Sequence, residues 1–265
     1  MHSREQRLIN TESVEAIPAW LARARGNTTA RRLAQSEWLL RRKSDGRFLA
    51  ALDGASLQPL DPAAMTPHNG ISDAVRAVAR GFGVEVELDE HAEPYAALGI
   101  AVDYGELHRL RSVPEPAGLA YAGRDRYQRP LWLLATAARA WQRMREAAMR
   151  DDVLLDAISG YRSHAYQLGI FNRKLARGQT IEQILSVNAA PGYSEHHSGR
   201  AIDIGTPGEP PAEQSFENTP AFAWLMDRSN RFGFTLSYPR GNPHGITYEP
   251  WHFRHVRPGS DSADN

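Results

Sequence analysis

Apolar positions change their period several times along the first hundred residues. Val14, Ile17, Leu21 and Ala24 recur at helical spacing and predict a short helix over 11–25. Two apolar runs, ending at Leu40 and starting at Phe48, flank Lys43-Ser44-Asp45-Gly46, and such runs around an Asp-Gly turn predict a β-hairpin. Residues 71–82 read as a helix, Val84-Glu85-Val86-Glu87-Leu88 alternates as a strand, and 104–110 suit a short helix.

Two prolines and a glycine in Val113-Pro114-Glu115-Pro116-Ala117-Gly118 disfavour regular structure and mark the best boundary. Residues 1–115 then form a small α/β module with no assigned role, 116–258 a second domain, and 259–265 a flexible polar tail. The longest helix is predicted over 130–150, with Leu134, Ala137, Trp141, Met144 and Ala148 on one apolar face that suits core packing. A buried strand follows over 153–158 and a helix over 163–175. Thr180-Ile181-Glu182-Gln183 is a capping box that opens the next helix. An exposed loop over 207–218 is expected at the rim of a cleft. Thr219 and Pro220 then open a helix that Gly233 ends. Strands are predicted over 234–238 and 246–256. Helices alternate with short strands without regular βαβ spacing, which predicts an α+β fold with a small, mostly antiparallel sheet and flanking helices.

The chemistry is concentrated in Ser194-Glu195-His196-His197-Ser198-Gly199-Arg200-Ala201-Ile202-Asp203 and, some fifty residues on, in Glu249-Pro250-Trp251-His252. A catalytic zinc site commonly takes three N/O ligands and leaves a fourth position open, with a carboxylate nearby for acid/base work. His196, Asp203 and His252 are the candidate ligands for Zn²⁺, and Glu249 the candidate acid/base. His196 and Asp203 are seven apart, so one straight strand would point them to opposite faces. Ser198-Gly199 can supply the turn they need. Ala201 to Ile204 then reads as a strand with Ile202 and Ile204 toward the core and Asp203 toward the site. Pro250 supplies the bend between Glu249 and His252. A lone His-x-x-Gly carries little information; the joint pattern carries the assignment. His197 and His255 are expected to turn away from the metal, and His68, His91 and His108 have no ligand-like spacing.

This pattern, preceded by Ser159-Gly160-Tyr161-Arg162-Ser163 and Gln167, resembles the zinc D-alanyl-D-alanine carboxypeptidases of the VanY type and their L,D-carboxypeptidase relatives. The resemblance covers approximately 119–258. It implies removal of the C-terminal D-alanine from peptidoglycan stem peptides at the cell envelope or in the periplasm. It also implies that Arg162 holds substrate and stabilises developing negative charge, and that Ser194 and Gln167 contact the substrate peptide. Alternatives on the same residues are an L,D-carboxypeptidase, a peptidoglycan endopeptidase and a zinc-stabilised wall-binding protein without turnover. A non-ligand Glu249 argues against the last. A serine nucleophile at Ser194 has no Gly-x-Ser-x-Gly or Ser-x-x-Lys motif behind it.

Composition trims the remaining possibilities. Lys+Arg 31 balances Asp+Glu 31, so no net field favours nucleic acid or an anionic membrane. No cysteine is present, which excludes disulfides and thiolate metal sites. No apolar run is long enough to span a membrane, and Met1 to Arg7 lack the apolar core of a signal peptide, which leaves the export route open. Lys43 and Lys174 are the only lysines; the sequence gives neither a role.

Overall fold

The computed structural model describes residues 6–22, 31, 33–54, 56–60, 70–88 and 97–256. His68, His91 and the tail from Gly259 lie outside them. Two antiparallel sheets organise these residues. Seven strands form the first: β1 (Arg7–Asn10), β2 (Val14–Pro18), β3 (Trp38–Arg42), β4 (Phe48–Asp53), β5 (Ser56–Pro59), β6 (Gly118–Arg124) and β7 (Pro130–Leu133), in the spatial order β5-β4-β3-β2-β1-β6-β7. Four form the second: β8 (Asp156–Ser159), β9 (Ala201–Gly205), β10 (Phe234–Leu236) and β11 (His252–His255), in the order β10-β11-β9-β8. The fold is thus α+β with antiparallel sheets, as the alternation of elements predicts.

The hairpin β3–β4 forms where the Asp-Gly turn places it, and helix α1 (Ile71–Arg80) ends at the left-handed Gly81. The stretch 14–18 is a strand and not the predicted helix. All five of its residues are buried, and a strand covered on both faces loses the period of two that would betray it. Val84 to Leu88 has an alternating pattern, but among the described residues it pairs with no strand, and Val86 alone bridges, to Glu115. Helix α2 (Tyr104–Leu107) is short, as expected. The predicted helix over 130–150 divides: Pro130–Leu133 is β7, and α3 (Ala135–Arg150) follows. β8 starts at Asp156, three residues later than predicted.

β6 pairs with β1, so the seven-stranded sheet runs across position 115/116. The proline-rich segment itself is packed. Glu115 is 1% exposed and is held by Lys43 Nζ at 2.5 Å, Tyr161 Oη at 2.5 Å, the His164 amide at 2.8 Å and Asn10 Nδ2 at 3.1 Å. Lys43 also donates to Thr11 O at 2.8 Å. Glu115 therefore ties the β3–β4 turn, through Lys43, to the Gly160–His164 loop. Burial pushes the Glu115 carboxyl up, but Lys43 and His164 outweigh it and hold its pKa below the ordinary carboxylate value.

The main core lies between α3 and the four-stranded sheet. Ala137, Trp141, Met144 and Ala148 meet Ile202, Ile204, Phe234 and Phe253 there. Burying aromatic and aliphatic side chains of this size contributes roughly 1.5–3 kcal/mol each. Helix α4 (His164–Leu175) is capped by Ser163 Oγ, which accepts from the Tyr166 amide at 3.1 Å. The capping box at Thr180/Gln183 opens α5 (Ile181–Leu185). Thr219 caps α6 (Pro220–Arg228), whose first residue is the proline. A 3-10 turn carries the chain from α6 to the left-handed Gly233.

Candidate metal centre and active site

The site lies on β9, β11 and the loops that enter them. Glu195–Ser198 forms one 3-10 turn, and the chain reverses at Gly199 with φ 65°. A Cβ at Gly199 would stand 2.4 Å from Leu119 and 3.0 Å from the Leu134 amide, so this turn needs glycine. The reversal aims His196 at β9, where Asp203 faces it while Ile202 and Ile204 face the core, as the alternation requires. On the neighbouring strand His252 is the register partner of Asp203. The bend at Pro250 lets the His252 amide bond to Glu249 O at 3.1 Å.

His196, Asp203 and His252 are all buried, and one potential ligand atom from each lies within 4.8 Å of the others. His196 Nε2 is 3.3 Å from Asp203 Oδ2, and His252 Nδ1 is 3.0 Å from Asp203 Oδ1. The other nitrogen of each ring is already engaged: His196 Nδ1 donates to Gly160 O at 2.8 Å, and His252 Nε2 donates to Glu195 Oε2 at 2.9 Å. Metal-bound histidines are usually oriented in this way by a carbonyl or carboxylate on the far nitrogen. Two imidazoles, each fixed from behind, and a carboxylate between them are a donor set that fits Zn²⁺.

The charges agree with that fit. Burial alone would raise the Asp203 carboxyl, yet His196 and His252 hold its pKa far below the ordinary carboxylate range. Burial likewise disfavours the His252 cation, but hydrogen bonds to Asp203 and Glu195 bring its pKa up to about 10. The paired carboxylates thus draw positive charge into the site. Glu249 differs. Burial, supported by Asp203 and Glu195 and opposed by His252 and Arg162, raises its pKa to about 7. Its Oε2 stands 3.8 Å from His252 Nδ1, outside hydrogen-bond range.

These groups open into a pocket of about 340 Å³ that also has Arg162, Gln167, Ser194, Lys174 and Tyr238 in its walls. Arg162 Nη1 donates to Gln167 Oε1 at 2.9 Å, and Gln167 Nε2 donates to Ala189 O at 2.9 Å, so the guanidinium is positioned through its partner. The structure therefore brings all seven sequence-selected site residues to one pocket. The loop over 207–218 reaches its edge through Ala212. His197 turns away from the metal position: its Nδ1 is 2.6 Å from Arg162 O, and its Nε2 accepts from the Gly192 amide at 3.1 Å. The separation from His196 comes from the 3-10 turn, with three residues per turn, and not from strand alternation. His255 packs on Phe234 with ring centroids 5.2 Å apart.

Three neighbours have no signal in the sequence pattern. Glu195 lies beside a ligand candidate yet serves His252, 57 positions away. Tyr238 lays its ring against His252 at 4.8 Å. Lys174 stands in the pocket wall, where burial and the nearby Arg162 lower its pKa against the pull of Glu249.

The class defined by this fold and site is an antiparallel sheet that brings two histidines and one aspartate together as a group able to hold a metal, with the Glu249 carboxylate beside them. Residues 131–258 match the family described as "VanY: D-alanyl-D-alanine carboxypeptidase". The chain is 30% identical over 155 residues to the bifunctional D-Ala-D-Ala dipeptidase and D-Ala-D-Ala carboxypeptidase VanXYC of Enterococcus gallinarum, which covers 56% of this chain and 79% of that protein. It is 36% identical over 121 residues to a D-alanyl-D-alanine carboxypeptidase of Enterococcus faecalis (strain ATCC 700802 / V583), over 42% of this chain and 43% of the relative. A solved structure of VanYB in complex with D-alanine-D-alanine is 31% identical, with a TM-score of 0.42, over 48% of this chain and 73% of that one. The chain belongs to the VanY family. It spans less than half the length of three of the four curated relatives it matches, and 79% of VanXYC.

Proposed function

We propose that this protein is a zinc carboxypeptidase that removes the C-terminal D-alanine from peptidoglycan stem peptides, with 116–258 as its catalytic part and 1–115 as an accessory module. One observation carries the reading. Two oriented imidazoles and Asp203 converge beside a buried, unliganded Glu249, in a pocket that also presents a positioned arginine. His196 Nε2, His252 Nδ1 and Asp203 would hold the zinc ion. Zinc at such a site supplies carbonyl polarisation and a bound water acidified from about 15.7 toward about 7.

The chain's own residues do the rest. Glu249 takes the proton from the attacking water and returns it to the leaving amine. A pKa raised to about 7 suits a group that must both accept and donate near neutrality. Arg162 pairs with the free C-terminal carboxylate of the substrate or with the oxyanion as it forms. Ser194 and Gln167 contact the substrate peptide from the same wall. Such a substrate places the protein at the cell envelope. Among the described residues no helix is long and apolar enough to cross a membrane.

The D,D reading is favoured over the L,D one by the family match and by the curated relatives named for D-alanyl-D-alanine. The test is to incubate the protein with pentapeptide and tetrapeptide stems, with and without a chelator, and to weigh the products. The pentapeptide should lose one alanine, and the chelator should stop the loss. Shortening of the tetrapeptide alone would establish the L,D reading. Intact peptides in every arm would reject both.

A further inference from the structure

Arg162 sits where two parts of the chain meet. Its amide donates to His196 O at 3.3 Å, and its carbonyl accepts from His197 Nδ1 at 2.6 Å. The turn that carries the metal-ligand candidate therefore holds the arginine's own backbone. Its neighbours are held from the other side. Tyr161 Oη donates to Glu115 Oε2 at 2.5 Å, and the His164 amide donates to Glu115 Oε1 at 2.8 Å. One carboxylate thus grips the residue before Arg162 and the second residue after it. Lys43 Nζ stands 2.5 Å from the same Oε2. Lys43 and Glu115 both precede the stretch 131–258 that matches the family.

Adjacent side chains of this loop serve different cores. Tyr161 packs against the cluster that holds Leu8, Ile17, Leu39 and Ala51 of the seven-stranded sheet, whereas Arg162 lines the catalytic pocket. The loop also lies close on β7. The Tyr161 amide donates to Trp132 O at 3.0 Å, and a Cβ at Gly160 would stand 2.7 Å from Leu131 and 2.9 Å from Trp132 O. Lys43 and Glu115 are both buried. Burial favours the neutral form of such a carboxyl, and Lys43 is the largest of the influences that oppose it. A neutral carboxyl gives up an acceptor site and accepts more weakly at the rest. It would hold Tyr161 Oη, the His164 amide and Asn10 Nδ2 less firmly than the carboxylate does.

We propose that Lys43 is a positioning residue for Arg162, acting through Glu115 on Tyr161 and His164. This rests on the carboxypeptidase reading, in which Arg162 meets the substrate carboxylate or the oxyanion. Bonds that share one buried acceptor act as a unit, so a change at Lys43 is felt at the arginine. A displacement of about 1 Å that starts far from the chemistry can cost on the order of a hundredfold in rate. The β3–β4 hairpin then sets the cationic wall of a pocket whose other residues come from the second half of the chain. That gives the N-terminal part a task in turnover beside its share in the fold.

The experiment measures kcat and KM for a pentapeptide with a free C-terminus and for its amide, on zinc-loaded full-length protein. Lys43→Met and Tyr161→Phe should keep their zinc, and each should lose about tenfold or more of the preference for the free acid. Lys43→Arg keeps the cation and should restore most of it. In an Arg162→Ala background neither substitution should lower kcat/KM for the free acid further, whereas damage unconnected with Arg162 would add to the loss. Tyr161→Phe keeps its ring in the cluster and carries the test alone if Lys43→Met does not fold. A wild-type preference in either zinc-loaded variant, or losses that add to that of Arg162→Ala, overturn the positioning role. If the wild type cleaves neither peptide, the carboxypeptidase reading fails, and the Nε–H resonance of Arg162, assigned by its absence from Arg162→Ala, decides. It should move in Lys43→Met and Tyr161→Phe and return in Lys43→Arg; an unmoved resonance overturns the role.

Discussion

Asp203 and His252 are register partners on neighbouring antiparallel strands, with Asp203 Oδ1 3.0 Å from His252 Nδ1. Directly opposed residues in such a pair have their side chains on the same face of the sheet. The strand pairing therefore delivers two of the three candidate ligands together, and only His196 has to be brought in by a turn.

That arrangement predicts a metal stoichiometry. Wild-type protein should bind one zinc ion, and His196→Ala or His252→Ala should lose it in metal analysis. Glu195→Gln keeps the ligands but weakens the carboxylate behind His252 Nε2, so zinc affinity should fall about 10–100-fold. Full occupancy in both histidine variants would falsify the ligand assignment.

Glu249 should separate binding from turnover. Glu249→Gln is expected to retain zinc and thermal stability while kcat falls by about 10²–10⁴, the range of a lost general acid/base. The variant's metal content and rate are measured on one preparation. A near-normal rate with zinc bound would move the proton-transfer role to another group.

Arg162 should sense the free carboxylate of the substrate. Arg162→Ala should remove the preference for a free C-terminus over an amidated one. Arg162→Lys keeps the charge but not the planar fork, so it should rescue little if contact is bidentate. A rise confined to KM indicates ground-state recognition, and a fall in kcat indicates contact with the oxyanion. Unchanged discrimination in Arg162→Ala would assign recognition elsewhere, with Ser194 and Gln167 next to test.

Lys43 and Glu115 make a prediction about stability and pH. Removing one partner of a buried pair leaves the other charge uncompensated, at a cost of about 3–5 kcal/mol. Lys43→Met should show this as a lower urea midpoint at pH 7. The Glu115 pKa is held below 4.5 in the folded protein. Its contribution is therefore present above that pH and is lost as the pH falls through the folded value. Burial holds the His164 pKa below 6.5, despite the opposing pull of Glu115, so acidification also favours the unfolded chain there. Wild-type stability should drop on acidification, with the Glu115 share absent from Lys43→Met. Parallel pH profiles for the two proteins would refute the role given to the pair.

Much of this protein was readable from local pattern. The hairpin around Asp45-Gly46, the capping box at Thr180, the Thr219-Pro220 helix start and the apolar face of α3 each depend on residues within a few positions of one another. Short-range chemistry of this kind survives any tertiary context. His196, Asp203, His252 and Glu249 were also legible as candidates, because their types and spacing suit what a metal and an acid/base need, whereas Arg162, Ser194 and Gln167 were named only through the family resemblance. Tertiary structure decided the rest. Val14 to Pro18 became a strand because both its faces are covered, and burial on both sides erases the period that distinguishes strand from helix. Val84 to Leu88 kept a strand's alternation with a single bridge, Val86 to Glu115, among the described residues, since pairing depends on what lies alongside and not on the segment itself. Glu195 behind His252 and Lys43 against Glu115 join residues far apart in sequence. No local period encodes such meetings; the packing of segments distant in the chain creates them.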